Sequence, residues 1–210
     1  MRARPARRAH ALTITRRPEP DSPRSDERRI PGEEGIWVLV LGDMVVFALF
    51  FGSFMYSRRQ NPHAFAIDHV GLLTSLGTVN TVLLLTSSLS VALGVARVLA
   101  GAHVGSARYF VGALCCGGGF VVVKAIEWTR LFSEGRRAGA GEYFSYYFVF
   151  TGIHLAHVLI GLVVLARVVV VTSKPTLGPS QRRFCETAGV YWHLVDLLWV
   201  VLFALFYLLK

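Results

Sequence analysis

Five long apolar stretches constrain the fold of this chain more than any other feature of its sequence. Each is long enough to cross the roughly 30 Å hydrocarbon core of a bilayer as a helix, which takes about 20 residues. Lipid offers the backbone no hydrogen bonds, and the alternating pattern of a barrel strand is absent, so these stretches predict helices. The predicted transmembrane helices run from Ile36 to Tyr56, from Val70 to Ala96, from Tyr109 to Phe132, from Tyr143 to Val171 and from Phe184 to Leu209.

The sequence therefore predicts an all-α membrane protein, with a five-helix transmembrane domain over residues 36–210. Charged residues make up only 17% of the chain, and they are concentrated in residues 1–35 and in the short connections between the apolar stretches. Residues 1–35 are rich in Arg, Pro, Ser and acidic residues without a periodic apolar face, which predicts a disordered tail. The net charge of +9 does not indicate nucleic-acid binding, because no basic face accompanies it.

The basic residues also predict the orientation of the chain. If the tail lies inside the cell, the segments on its side of the membrane hold fifteen Lys and Arg residues, against six on the other side. Because Lys and Arg are enriched in cytoplasmic segments, the N-terminus is predicted to be cytoplasmic. Five crossings then place the C-terminus outside.

Charged side chains inside these stretches are the first candidates for a functional site. A charge near the bilayer centre costs about 2.5–3.5 kcal/mol on the insertion scale, so each one needs a partner or a function. Asp43 lies in the first predicted helix, and Phe47, Phe50 and Phe54 follow it at helical spacing. Two interpretations stay open: a carboxyl that handles protons or contacts lipid, and a structural carboxyl paired with a neighbouring helix.

Two further helices carry polar groups with structural interpretations. Lys124 and Glu127 are three residues apart in the third helix, so they are expected to form a mutual ion pair. Asn80 and Ser87 share one face of the second helix, and hydrogen bonding between helices is their expected role.

The histidines are candidates for metal or haem ligation, but their arrangement argues against it. His154 and His157 lie on one helix, whereas a bis-histidine haem needs ligands on opposing helices, and only His193 remains as a further candidate. Structural hydrogen bonding or contact with lipid headgroups is favoured, and no metal site is expected. The three cysteines show no metal-binding spacing.

The fifth helix carries a polar stripe. Glu186, His193 and Asp196 are spaced by seven and three residues, which places them along one face. Asp196 is expected to be close enough to hydrogen-bond to the His193 imidazole. The sequence contains no nucleophile elbow and no nucleotide-binding glycine loop.

Taken in order, these residues resemble subunit III of the haem–copper oxidases, the cytochrome c oxidase family. The resemblance covers all five predicted helices, from about Gly32 to Leu209, and leaves out only the tail. The matching residues are Asp43 with Phe47, Phe50 and Phe51; Asn80 and Thr81 with Ser87 and Ser88; Lys124, Glu127 and Trp128; Thr151 to His154 with His157 and Gly161; and Glu186 with Tyr191 to Asp196 and Trp199.

The resemblance implies a subunit without haem or copper of its own, in the plasma membrane of a bacterial cell. Haem and copper are expected in the partner, the catalytic subunit I. This chain would pack beside subunit I, together with subunit II. A bound phospholipid is expected between groups of helices. The family usually carries Glu near the proton-uptake side where this chain has Asp43. The remaining residues expected at intramembrane polar, lipid or subunit contacts are Asn80, Lys124, Glu127, His154, His157, Glu186, Tyr191, Trp192, His193, Asp196 and Trp199.

The catalytic partner stays open at this point. The segment from Pro31 to Trp37 and the Gly42-Asp43-Met44 sequence look more like the branch associated with nitric oxide reductase. From other classes, an autonomous proton or small-solute transporter and a b-haem electron carrier are alternatives. The first lacks the internal repeats typical of transporters, and the second depends on the three histidines discussed above.

Overall fold

The protein is a bundle of long helices. The computed structural model describes residues 34–60, 74–102, 104–136, 139 and 141–208, so the predicted tail up to residue 33 lies outside the described residues. Within these ranges the chain is helical without strands, and five helices are long and apolar enough to cross a membrane, which confirms the predicted fold class. The helices are α1 (Glu34–Gln60), α2 (Thr74–Leu99), α3 (Ala107–Ser133), α4 (Glu142–Thr172) and α5 (Pro179–Phe203), and α5 continues as a π-helical turn over Ala204–Leu208.

The start of α5 differs from the sequence expectation. The helix begins at Pro179, five residues before the expected Phe184. Proline suits the first position of a helix, because the N–H that it lacks would have no helical partner there. The Gln181 side chain also accepts a hydrogen bond from the Gly178 N–H at 3.0 Å, which caps the new helix. Pro179 therefore starts the helix.

Four of the helices form a closed ring in which neighbours run antiparallel. Helix α2 packs against α3 and α5, and α4 packs against the same two helices. Side chains bridge the α2 contacts: Ser87 donates to the Ala113 carbonyl at 2.9 Å, and the Trp199 Nε1–H donates to Thr81 Oγ1 at 3.0 Å. The Ser87 contact confirms the hydrogen bonding between helices expected on this face of α2.

Glycines allow α3, α4 and α5 to approach closely around one indole ring. A Cβ atom added at Gly161 would lie 2.8 Å from the Trp192 ring, and one added at Gly117 would lie 3.0 Å from it. Small residues are commonly used in this way where membrane helices pack. Trp192 thus occupies space that side chains at these two positions would otherwise fill.

Helix α1 lies outside this ring, against α4 and α5. Phe47 and Phe54 are its buried apolar residues among those described, and Phe50 stacks on Phe150 of α4 with ring centroids 5.2 Å apart. Aromatic pairs of this kind add about 0.5–1.5 kcal/mol beyond their buried area. Most other apolar side chains of α1, such as Leu49, are exposed in the single chain.

Candidate functional site

Asp43 faces a histidine of the neighbouring helix α4. The Asp43 Oδ2 atom lies 3.2 Å from His157 Nε2, and the two side chains are only 19% and 22% exposed. The approach is electrostatic rather than an aligned hydrogen bond, because Asp43 Oδ2 has no hydrogen-bond partner of good geometry among the described residues. Of the two interpretations of Asp43, the structural pairing between helices is thus present, and a proton role at the same carboxyl remains compatible with it.

The other side of the His157 ring constrains where protons can sit. His157 Nδ1 lies 2.9 Å from the Ile153 carbonyl oxygen, which is one helical turn earlier. A carbonyl oxygen only accepts hydrogen bonds, so Nδ1 must carry a proton. A second proton on Nε2 then makes an imidazolium that balances the Asp43 carboxylate, or the carboxyl itself carries that proton. The pair can therefore hold one additional proton between two helices.

Helix α5 completes this site through Tyr191. Its hydroxyl donates to the His157 carbonyl oxygen at 3.2 Å, and the phenol lies within electrostatic reach of Asp43. The Phe47 ring lies 6.3 Å from the His157 ring, centroid to centroid. Residues of α1, α4 and α5 thus meet around the Asp43–His157 pair.

A second polar centre surrounds Lys124 in the interior of the ring. Lys124 and Glu127 are 1% and 2% exposed and form an ion pair at 3.0 Å, as their spacing predicts. The ammonium also donates to the hydroxyls of Tyr147 at 2.9 Å and Tyr207 at 3.0 Å. All three N–H donors of the lysine therefore have acceptors.

Aromatic rings and the second oxygen of Glu127 complete this centre. Lys124 Nζ lies 4.8 Å from the ring centroid of Tyr147 and 4.9 Å from that of Trp199, which is the geometry of a cation–π contact. The Tyr207 hydroxyl donates to Glu127 Oε1. Sequence reasoning missed Tyr147 and Tyr207, because they lie on other helices and no local spacing connects them to Lys124.

The end of α5 is shaped to bring Tyr207 to this centre. Tyr207 lies in the π-helical turn, and its ring packs where a Cβ atom at Gly77 of α2 would come within 2.7 Å. A π-helical turn changes the direction of the side chains that follow it, and such turns often occur at functional sites. The glycine leaves room for the ring on the α2 side.

Two of the expected hydrogen-bonding residues, His154 and Asn80, are completely buried. Neither ring nitrogen of His154 and neither side-chain polar atom of Asn80 has a hydrogen-bond partner within the described ranges. His154 instead packs among aromatic rings, with the Trp199 ring 5.4 Å and the Phe120 ring 5.7 Å from its own, centroid to centroid. Within the described residues the structure thus gives neither His154 nor Asn80 the hydrogen bond expected of it, and these roles stay predictions.

The polar stripe of α5 has a partner on another helix that the spacing did not predict. His193 Nδ1 lies 2.6 Å from Ser88 Oγ of α2, and this is the hydrogen bond that the structure gives the imidazole in place of the expected bond to Asp196. Asp196 is 7% exposed, and its carboxyl group interacts with Ser88 and electrostatically with His193. Glu186 is half-buried about two turns earlier and does not join this contact.

The described residues contain no group of three or more His, Cys, Asp or Glu side chains that could hold a metal ion. What they do contain is a set of polar contacts that join helices: Asp43 with His157, Lys124 with Tyr147 and Tyr207, and His193 with Ser88. Together with five membrane-spanning helices, these contacts define a multi-pass helical membrane protein. The profile of the family described as "Cytochrome c oxidase subunit III" matches residues 32–210, and this chain belongs to that family.

Individual relatives agree with the family match. Cytochrome c oxidase subunit 3 of Corynebacterium diphtheriae is 30% identical, over 79% of this chain and 80% of that protein. Quinol oxidase subunit 3 of Bacillus spizizenii is 26% identical, over 83% of this chain and 85% of its own length. The heme-copper oxidase subunit I+III of Aeropyrum pernix is 26% identical over 82% of this chain, which matches 22% of that longer protein. The family expected from the polar residues is confirmed.

The buried ion pair generates a stability prediction. Replacing Lys124 with Met leaves Glu127 as a buried carboxylate without its cation, and we expect a loss of about 3–5 kcal/mol in the free energy of unfolding. The double variant Lys124→Met/Glu127→Met removes both charges and is expected to recover most of that loss. Thermal unfolding of the purified protein in detergent measures both effects.

The exposed ion pair between Glu134 and Arg136, at 3.5 Å, offers a matched control. Glu134→Gln is expected to change stability by less than about 1 kcal/mol, because exposed pairs contribute little. A double variant at Lys124 and Glu127 that is as unstable as Lys124→Met would contradict the assignment of the cost to an unpaired charge.

Proposed function

We propose that this chain is the accessory subunit III of a respiratory haem–copper oxidase, packed beside the catalytic subunit I in a bacterial plasma membrane. The family match over residues 32–210 is the observation that carries this proposal. Haem and copper belong to the partner subunits in this proposal, and the chain supplies structural support. The complex would reduce oxygen with electrons from cytochrome c or quinol, since relatives of both names match the chain.

The exposed apolar surface of α1 supports a protein partner within the membrane. α1 contributes few side chains to the bundle, whereas residues such as Val38, Leu41 and Leu49 are 74%, 61% and 69% exposed in the single chain. Subunit I would cover part of this surface and lipid the rest. The Aeropyrum pernix relative is named subunit I+III, and a covalent union of that kind suits two polypeptides that pack side by side.

Asp43 is the proposed proton-side group. It lies on α1 about 13 Å along the helix from Glu34, at a rise of 1.5 Å per residue. If the N-terminus is in the cytoplasm and the C-terminus outside, as the basic residues predict, the Asp43–His157 pair would lie in the cytoplasmic half of the membrane. A pair that holds one additional proton there would support proton uptake by the neighbouring catalytic subunit.

Lipid binding is the second supporting role. A groove of about 420 Å³ follows the seam between α1 and α4, and Phe50, Ser53, Tyr146 and Phe150 contribute to its lining. The Ser53 and Tyr146 hydroxyls are 3.2 Å apart within it. Its aromatic walls, with a few hydroxyls and the Glu142 carboxyl group at one end, suit a phospholipid between groups of helices.

The nitric oxide reductase partner remains a second candidate, carried by the sequence of residues 31–37 and 42–44. The relatives named above are oxidase subunits, and they support the oxidase as the first candidate. The autonomous transporter is not favoured, because the charged side chains Lys124 and Asp43 are engaged by partners on neighbouring helices.

Purification of the tagged chain from its native membrane tests the proposed partner. A haem- and copper-containing subunit I is expected to co-purify, and the complex is expected to consume oxygen. Consumption of nitric oxide without oxygen reduction would replace the oxidase with the nitric oxide reductase. Proton flux through the purified chain alone in liposomes, with no haem subunit bound to it, would contradict both.

Substitution of Asp43 tests its role separately. Asp43→Asn keeps the size of the side chain but cannot carry a carboxylate, so the complex is expected to assemble and to turn over more slowly or lose activity sooner. Asp43→Glu, which restores the residue usual in the family, is expected to stay close to wild type. Turnover and active lifetime are measured on the purified complex, and values unchanged in Asp43→Asn would remove the proposed proton role.

A further inference from the structure

Two arginines meet on one tyrosine where α2 connects to α3. Arg97 lies in the last turn of α2, and Arg108 lies in the first turn of α3. Their guanidinium carbons are 5.8 Å and 5.0 Å from the centroid of the Tyr109 ring. Arg108 Nη2 also donates to the Tyr109 hydroxyl at 3.3 Å. Two cations are thereby held close to the same ring.

No described carboxylate forms an ion pair with either arginine. The ion pairs among the described residues engage Asp43, Glu127 and Glu134, which lie elsewhere in the bundle. The buried Nε atom of Arg97 has no hydrogen-bond partner among the described residues. A phenol ring attracts cations but does not neutralise them, so the two charges remain available to an anion.

The surroundings of the cluster are those of a membrane boundary. The connection is short and turns at Gly101 and Gly105, whose φ angles of +77° and +79° suit glycine. Leu99 and Val104 beside the arginines are 48% and 79% exposed, which leaves apolar surface next to the charges. An amphiphile with a negative headgroup matches both parts of this surface.

We propose that Arg97, Arg108 and Tyr109 bind the phosphodiester headgroup of an anionic phospholipid. Guanidinium groups form paired hydrogen bonds with phosphate oxygens, and the phenol hydroxyl adds a further polar contact. A zwitterionic headgroup would bring its own cation to a place that already holds two, so an anionic lipid fits better. The inference rests on the proposed lipid binding and adds a second site to it. This site lies at the opposite end of the bundle from the groove between α1 and α4.

Other basic residues at the same end provide a matched control. Arg167 near the end of α4 and Arg183 near the start of α5 are exposed, and neither makes a cation–π contact among the described residues. Basic residues near a membrane surface attract anionic lipids in general, so the Arg167→Gln/Arg183→Gln variant measures that unspecific contribution. The Arg97→Gln/Arg108→Gln variant removes the same formal charge from the proposed site.

The test is the lipid retained by the purified complex, measured by native mass spectrometry after exposure to mixed micelles of phosphatidylglycerol and phosphatidylcholine. Wild type and the control variant are expected to retain phosphatidylglycerol in preference to phosphatidylcholine. In the Arg97→Gln/Arg108→Gln variant, the ratio of retained phosphatidylglycerol to phosphatidylcholine is expected to fall at least fivefold. Arg97→Lys/Arg108→Lys keeps both charges without the planar guanidinium and is expected to fall between them.

Three results would overturn the inference. One is equal retention of phosphatidylglycerol in the Arg97→Gln/Arg108→Gln and control variants, which leaves the wider proposal of lipid binding intact. Another is that inorganic phosphate alone stabilises the wild type against heat as much as phosphatidylglycerol does, which would indicate a site for a free anion. The third is a complex that retains no lipid of either kind, which would also remove the proposed lipid binding.

If the double glutamine variant does not fold, Tyr109→Phe tests the site. A smaller loss of the preference for phosphatidylglycerol is expected in this variant, and an unchanged preference would count against the inference.

Discussion

The absence of water from the bilayer core is the constraint on which the rest of this structure depends. A charged side chain there must find its partners within the protein, and a partner on another helix fixes how the two helices pack. Lys124 uses its three N–H groups on Glu127, Tyr147 and Tyr207, so one buried ammonium joins α3, α4 and the end of α5. The arrangement of the ring follows from satisfying these groups as much as from apolar packing.

Helix α1 is held against the ring by fewer contacts than the other helices are. Its docking depends on stacked aromatic rings and on the Asp43–His157 contact, while most of its apolar side chains remain exposed. A helix held in this way presents a broad surface to other membrane components and places one carboxyl at the joint with the ring. The proposed role as an accessory subunit uses both properties, since the surface suits a neighbouring subunit and the joint can hold a proton.

The number and type of helices could be predicted from the sequence, because apolar length alone decides them in a membrane. The Lys124–Glu127 pair could also be predicted, since side chains three residues apart lie on the same face of a helix. Contacts between helices could not: Tyr207 is 83 residues from Lys124, and Ser88 is 105 residues from His193. The family resemblance marked Asp43 and His157 separately, but only the packing of α1 on α4 brings them together.

A double-mutant cycle on the purified complex tests the central claim, that Asp43 and His157 act as one unit. Oxygen turnover is measured for Asp43→Asn, His157→Gln and the double variant. If the two residues share one proton and one contact, the double variant is expected to lose no more activity than the more impaired single variant. Losses that multiply in the double variant would show independent roles and would contradict the account.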